Sequence, residues 1–171
     1  TGNQGTFEST KDDRQHIYYC VSNDNGETWS PMVDITNMLY GTGCEDPIRK
    51  EFYSTFVTSG NGVQLRNGRL MFVGAGRKDS SRSTYDFAIY SDDHGKTWTM
   101  SPHSPTTGNG DESKIVELNN GSLLMSIRHQ QRYNRRNSIS VDGGLHWSYP
   151  VMNPDLVDPA CNGDIIRYTS T

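Results

Sequence analysis

The sequence predicts an all-β protein assembled from repeated units of four antiparallel strands. Two interleaved repeats and a strand-friendly composition lead to that prediction. The first repeat occurs three times: Ser22-Asn23-Asp24-Asn25-Gly26-Glu27-Thr28-Trp29, Ser91-Asp92-Asp93-His94-Gly95-Lys96-Thr97-Trp98 and Ser140-Val141-Asp142-Gly143-Gly144-Leu145-His146-Trp147 all read Ser-x-Asp-x-Gly-x-x-Trp. The second occurs twice: residues 63–70 and 116–123 both read Val-x-Leu-x-Asn-Gly-x-Leu. A hydrophobic content of 32% is lean, and 17 Gly with nine Tyr suit short strands joined by polar turns.

Each repeat has a physical reading. In the octad, the Asp accepts hydrogen bonds from its own turn, the Gly supplies a positive φ, and the Trp opens the next strand with a large ring to bury. The octads follow strand-like runs at 17–21, 85–90 and 137–139. Asn-Gly flanked by apolar alternation is a hairpin signal. Ser91 and Ser140 lie 49 residues apart, and Val63 and Val116 lie 53 apart. A unit of about 50 residues holding two hairpins is the pattern of a β-propeller blade.

Taken in order, residues 1–48 read as the second half of one blade. Within them, 34–40 suggests a short helical turn capped by Asp34, and 41–49 an irregular connection. Residues 49–105 and 106–156 read as two nearly complete blades, with 101–110 the loop between them. Residues 157–171 read as the first strand of another, centred on Ile165-Ile166-Arg167-Tyr168. Roughly three blades are expected here, and a closed ring needs at least four, so the natural protein is expected to continue on both sides.

The net charge of −4, without a basic patch, argues against nucleic acid as a partner. No apolar run is long enough to span a membrane as a helix, and no leader is visible. Cys20, Cys44 and Cys161 lack the spacing of a disulfide framework or metal site and read as buried or semi-buried thiols, with a bridge between one pair as the alternative. No cofactor or metal is expected.

Subtracting one hairpin repeat from the other isolates two residues. At the 53-residue offset Glu112 stands opposite Ser59, and Arg128 opposite Ala75. If Asn119-Asn120-Gly121 forms a three-residue loop with Gly121 left-handed, Val116 faces Leu124, Lys114 faces Ser126, and Glu112 faces Arg128 on one side of the sheet. A two-residue loop would send the pair to opposite faces. The plain alternative is a cross-strand ion pair worth ~0.2–1 kcal/mol.

The octads together with Asp111-Glu112-Ser113 and Ile127-Arg128 resemble the exo-α-sialidases, or neuraminidases, of bacterial and animal type. The segments Phe52-Tyr53-Ser54-Thr55-Phe56 and Pro159-Ala160-Cys161-Asn162-Gly163-Asp164 are similar to sialidase segments as well. The resemblance implies a six-bladed propeller and retaining hydrolysis of terminal sialic acid through a tyrosyl intermediate. It implies that Glu112 is the base partner of the tyrosine nucleophile, because free tyrosine has a pKa near 10. It implies that Arg128 grips the substrate carboxylate with a bidentate fork, and that Asn162 lies beside the substrate. The family's Arg-Ile-Pro segment with the acid/base aspartate, its third arginine and its tyrosine are not found here. Sialylated glycans, glycoproteins or glycolipids are the implied substrates, the remainder of the propeller chain the implied partner, and a secreted, periplasmic or cell-surface location the implied setting. The alternatives are a non-catalytic propeller that binds glycan or protein, and a trans-sialidase.

Other polar residues read as structural. Arg135 and Arg136 suggest a solvated face, His94 and His146 surface turns, and Glu45-Asp46 and Asp12-Asp13 loop acids. Trp29, Trp98 and Trp147 are expected in blade cores.

Overall fold

The computed structural model describes residues 4–130 and 134–168. It is all-β apart from one four-residue helix and a 3₁₀ turn at Arg49–Glu51. Strands β1 (Tyr18–Tyr19) and β2 (Val33–Asp34) form a two-stranded sheet. A second sheet contains β3 (Ser54–Val57), β4 (Val63–Gln64), β5 (Leu70–Arg77), β6 (Tyr85–Ser91) and β7 (Thr99–Met100). Its order is β3-β5-β6-β7, with β4 also paired to β5. A third, four-stranded sheet runs β8 (Lys114–Glu117), β9 (Leu123–Ile127), β10 (Asn134–Ser140) and β11 (Val151–Val157), each strand antiparallel to the next.

The sheets pack face to face in chain order. Ile17, Ile35, Leu39 and Tyr40 bury against Phe52, Phe87, Ile89 and Met100. On the other face of the second sheet, Leu65, Met71, Val73 and Ala88 bury against Ile115, Leu123, Met125 and Ile127. Full burial of side chains of this kind stabilises by roughly 1.5–3 kcal/mol each, so these two seams hold the stack together.

The octads form one repeated turn. In the second copy Ser91 Oγ donates to Asp93 Oδ1 (2.8 Å), and Asp93 Oδ1 accepts from Thr97 N (2.9 Å). Trp98 Nε1 donates to Gly95 O (3.0 Å). The equivalent bonds recur around Asp24 and Asp142. The hydrogen bonds from Thr28 and Thr97 hold the carboxyls of Asp24 and Asp93 down to about 2. At Asp142 burial pushes the other way, but bonds from His146 and Ser140 prevail and the value is again about 2.

Four expectations are corrected. Trp98 packs against Phe72 and Tyr19, and Trp147 joins the second seam, but Trp29 is 62% exposed, because β1 and β2 present its face to no other sheet among the described residues. In helix α1 (Thr36–Leu39) the N-cap position falls to Ile35, which supplies no side-chain cap, and Asp34 stands one residue further out, from where its Oδ1 still accepts from Thr36 N. Cys44 is buried, whereas Cys20 and Cys161 are exposed, and all three are free. Residues 158–168 carry no strand, and residues 169–171 of that expected strand lie outside the described residues.

Candidate functional site

The β8–β9 hairpin turns through three residues. Gly121 has φ 84°, Leu118 N donates to Ser122 O (2.8 Å), and Lys114 pairs with Ser126 and Val116 with Leu124. This register carries Glu112 and Arg128 to the same side. Beyond Lys114 the strand leaves the ladder, and residues 109–113 are held by other groups. Gly110 N donates to Thr84 O (3.0 Å), and Thr84 Oγ1 donates to Gly110 O (2.5 Å). Gln130 Nε2 donates to Thr84 Oγ1 (2.8 Å), and Thr58 Oγ1 donates to Ser113 O (2.8 Å). Each carbonyl drawn out of the sheet thus has a replacement donor, as burial requires.

The result is a cleft of about 290 Å³, lined by Thr6, Phe7, Phe56, Thr84, Asp111, Glu112, Arg128 and Gln130. Arg128 Nη1 donates to Glu112 Oε2 at 2.5 Å, and the same nitrogen lies 3.2 Å from Asp111 Oδ1. All three side chains are about one-fifth exposed. Arg128 Nε is buried without a hydrogen-bond partner among the described residues. Burial pushes the Asp111 carboxyl above its ordinary value, although Arg128 opposes this.

Behind the pair lies a buried polar layer that the sequence reading missed. Arg135, expected on a solvated face, turns inward. Its Nε donates to Ser126 Oγ (2.9 Å), its Nη2 to Ser126 O (3.1 Å) and Glu112 O (3.3 Å), and its Nη1 lies 3.7 Å from Asp158 Oδ2. The pairing of β10 with β11 shifts register between Asn134 and Arg136, and an irregularity there redirects the side chain between them. Asp86 on β6 is fully buried and accepts from Ser113 Oγ (3.1 Å); burial raises its carboxyl well above the ordinary range, helped by the nearby Asp111 charge. Lys114 is also buried, which lowers its ammonium, and it donates to Ser113 O and Asn162 Oδ1 (3.0 Å).

Of the three site residues read from sequence, Glu112 and Arg128 meet and Asn162 does not join them. Asn162 is exposed, bonded to Lys114 and to Ser59 O, and lines no part of the cleft. Asp111 is the lining residue that sequence reasoning left without a role, although it adjoins Glu112. Thr6 and Phe7 come from more than a hundred residues away, and no local signal marks them. Among the described residues no group of His, Cys, Asp and Glu could hold a metal ion, and no helix is long and apolar enough to cross a membrane. His94, His146 and the paired loop acids stand apart from the cleft.

Chemically, the cleft offers one fixed cation suited to a planar anion and two carboxylates within reach of it. Comparison with known proteins gives this arrangement a context. The sequence is 34% identical over 161 residues to a sialidase of Micromonospora viridifaciens, covering 89% of this chain and 23% of that protein. It is 32% identical over 166 residues to an exo-alpha-sialidase of Aspergillus fumigatus, covering 96% of this chain and 35% of that one. The chain therefore spans only about a quarter to a third of the length of these relatives. Its fold matches a Hadza microbial sialidase with a TM-score of 0.70 at 24% identity, over 86% of this chain and 27% of that one. It matches the intramolecular trans-sialidase from Ruminococcus gnavus, in complex with oseltamivir carboxylate, with a TM-score of 0.66 at 29% identity, over 83% and 27%. The profile of the BNR repeat-like domain matches residues 5–166, so the chain belongs to that family, and its relatives are sialidases.

Proposed function

We propose that this chain is part of an exo-α-sialidase, a retaining glycoside hydrolase that removes terminal sialic acid from glycoproteins or glycolipids. The observation that carries the reading is the Glu112–Arg128 contact of 2.5 Å, set in a cleft at the open end of a family hairpin. Arg128 binds the sugar carboxylate through its guanidinium fork. Glu112 takes up the proton of a tyrosine nucleophile. Tyrosine suits this sugar because its neutral hydroxyl approaches an anomeric carbon bearing a carboxylate without charge repulsion, and water then hydrolyses the tyrosyl-sialoside. The tyrosine, the acid/base aspartate and two further arginines come from the rest of a six-bladed propeller, to which residues 1–48, 49–105, 106–156 and 157–171 contribute successive blade portions. A secreted, periplasmic or cell-surface protein would meet such substrates.

The test is turnover of a fluorogenic sialoside by the complete reading frame. Glu112→Gln removes the base and should cost about 10²–10⁴-fold in kcat. Arg128→Ala should lower kcat/KM by about 10²-fold or more, as loss of a charged contact to substrate does. Undiminished turnover in either variant removes the role given to that residue. The likeness to a trans-sialidase supports transfer as a second reading. Product analysis with an acceptor sugar present separates transfer from hydrolysis.

A further inference from the structure

Two carboxylates occupy one nitrogen of Arg128, and they hold it differently. Glu112 Oε2 accepts a hydrogen bond from Nη1 at 2.5 Å. Asp111 Oδ1 is an ion contact at 3.2 Å, and the same oxygen accepts the Glu112 backbone N–H at 2.9 Å. Arg128 is the only cation among the described residues lining the cleft, against two acids. Because Nε is buried, a ligand carboxylate that binds the guanidinium as a fork must use Nη1 with Nη2 and so displace one of them, and the ion contact is the weaker hold. A displaced Asp111 carboxylate, its side chain only one-fifth exposed, is strongly disfavoured if left ionised beside an incoming anion.

We propose that Asp111 is a proton-dependent gate on Arg128: a ligand carboxylate takes the Arg128 nitrogen that now faces Asp111 only as Asp111 takes up a proton from solvent. The proposal rests on the sialidase reading, which makes the ligand a carboxylated sugar. The surroundings of Asp111 favour the uptake. Glu112 lies beside it and the carboxylate of Asp158 after β11 acts on it from behind, while Arg128 on β9 opposes them; Asp86 on β6, also close by, is pushed toward its neutral form by its own burial. Arg135 on β10 is turned to Ser126, the Glu112 carbonyl and Asp158. Burial already raises the Asp111 carboxyl.

Linkage gives the consequence. Above the carboxyl's own pKa, ligand affinity should fall by up to about tenfold per pH unit, with one proton bound per ligand. The experiment uses the complete reading frame. KM for a fluorogenic sialoside is measured between about pH 4 and pH 8 for the wild type, for Asp111→Asn, and for Asp111→Ser, which also keeps an acceptor near the Glu112 N–H. Proton uptake on binding free sialic acid is measured by calorimetry in buffers of different ionisation enthalpy. The expected result is that the variants lose the rise of KM with pH, bind about tenfold better than wild type at the upper end, and take up about one proton fewer. Identical KM profiles and identical proton uptake in wild type and a folded variant overturn the gate while leaving the sialidase reading intact. Absence of wild-type turnover at every pH overturns that reading itself, and the gate with it.

Discussion

In the second sheet the strand pairing runs to the very end: Phe56 lies opposite Ala75, and Ser54 opposite Arg77. In the third sheet the corresponding pairing stops at Lys114 opposite Ser126, and the residues equivalent to β3, 107–110, form loop. The two hairpins nonetheless share their turn. Gly68 and Gly121 have φ of 92° and 84°, and Leu65 and Leu118 accept the same bond from them. The difference shows how one repeat yields both scaffold and site. Where the strand stays in the ladder, its end is filled by Ala75, Gly74 and Gly76, which leave room only for packed neighbours such as Ile89 and Phe52. Where it peels away, Asp111 and Glu112 swing into the opening and Arg128 meets them.

The sharpest way to break the comparison is through the arginines at the two strand ends. Arg77 is buried, lies over the ring of Tyr53, and donates to the carbonyls of Thr6, Ser9, Asp79 and Ser81. It therefore fastens the N-terminal loop whose Thr6 and Phe7 wall the cleft. Arg77→Ala strands several buried carbonyls and should cost about 3 kcal/mol in denaturant unfolding of the complete protein. Arg128→Ala leaves only part-exposed carboxylates and should cost about 1 kcal/mol, while lowering kcat/KM by about 10²-fold or more. Equal destabilisation by the two would erase the division between scaffold and site.

Asp86 joins the two regions, since it sits opposite Ala75 in one sheet and bonds Ser113 of the other. Its carboxyl is raised by burial, so the folded protein keeps a proton that the unfolded chain releases above about pH 4. The stability linked to that proton is fully present below about pH 4 and is lost as pH rises toward the folded-state value. Asp86→Asn does not titrate. Its stability relative to wild type should therefore climb from pH 4 to pH 7, by at most about 1.4 kcal/mol per pH unit, in urea unfolding at each pH. A difference that stays flat with pH would mean that Asp86 is ionised in the folded state.

The comparison also explains what was legible beforehand. The turn, the register and the Glu112–Arg128 meeting were readable because each depends on local spacing: a glycine at the bulge position and alternation on either side. Arg135 was not, because its inward turn depends on an irregularity in the pairing with β11, a strand read only as one among several. Trp29 carries the same octad as Trp98, yet its burial depends on a sheet from elsewhere, which the octad cannot encode. Asn162 was placed by resemblance alone, and its bond to Lys114 depends on how the segment after β11 crosses the end of β8. The Phe7 contact depends on Arg77 reaching back about 70 positions to the carbonyls of Thr6 and Ser9.

The smallest expected effect tests what the hairpins have in common. A Cβ at Gly68 or Gly121 would meet nothing within 4 Å, so the cost of Gly→Ala at either place comes from the positive φ alone. That cost is about 1 kcal/mol for a non-glycine residue in the left-handed region. Gly68→Ala and Gly121→Ala should therefore destabilise the protein equally, by about 1 kcal/mol each, in paired unfolding measurements. Activity should survive both as well, because the Val63–Met71 and Val116–Leu124 pairings fix the register independently of the loop's strain. Loss of activity in Gly121→Ala alone would show that the turn itself, rather than the apolar ladder behind it, holds Glu112 on the same face as Arg128.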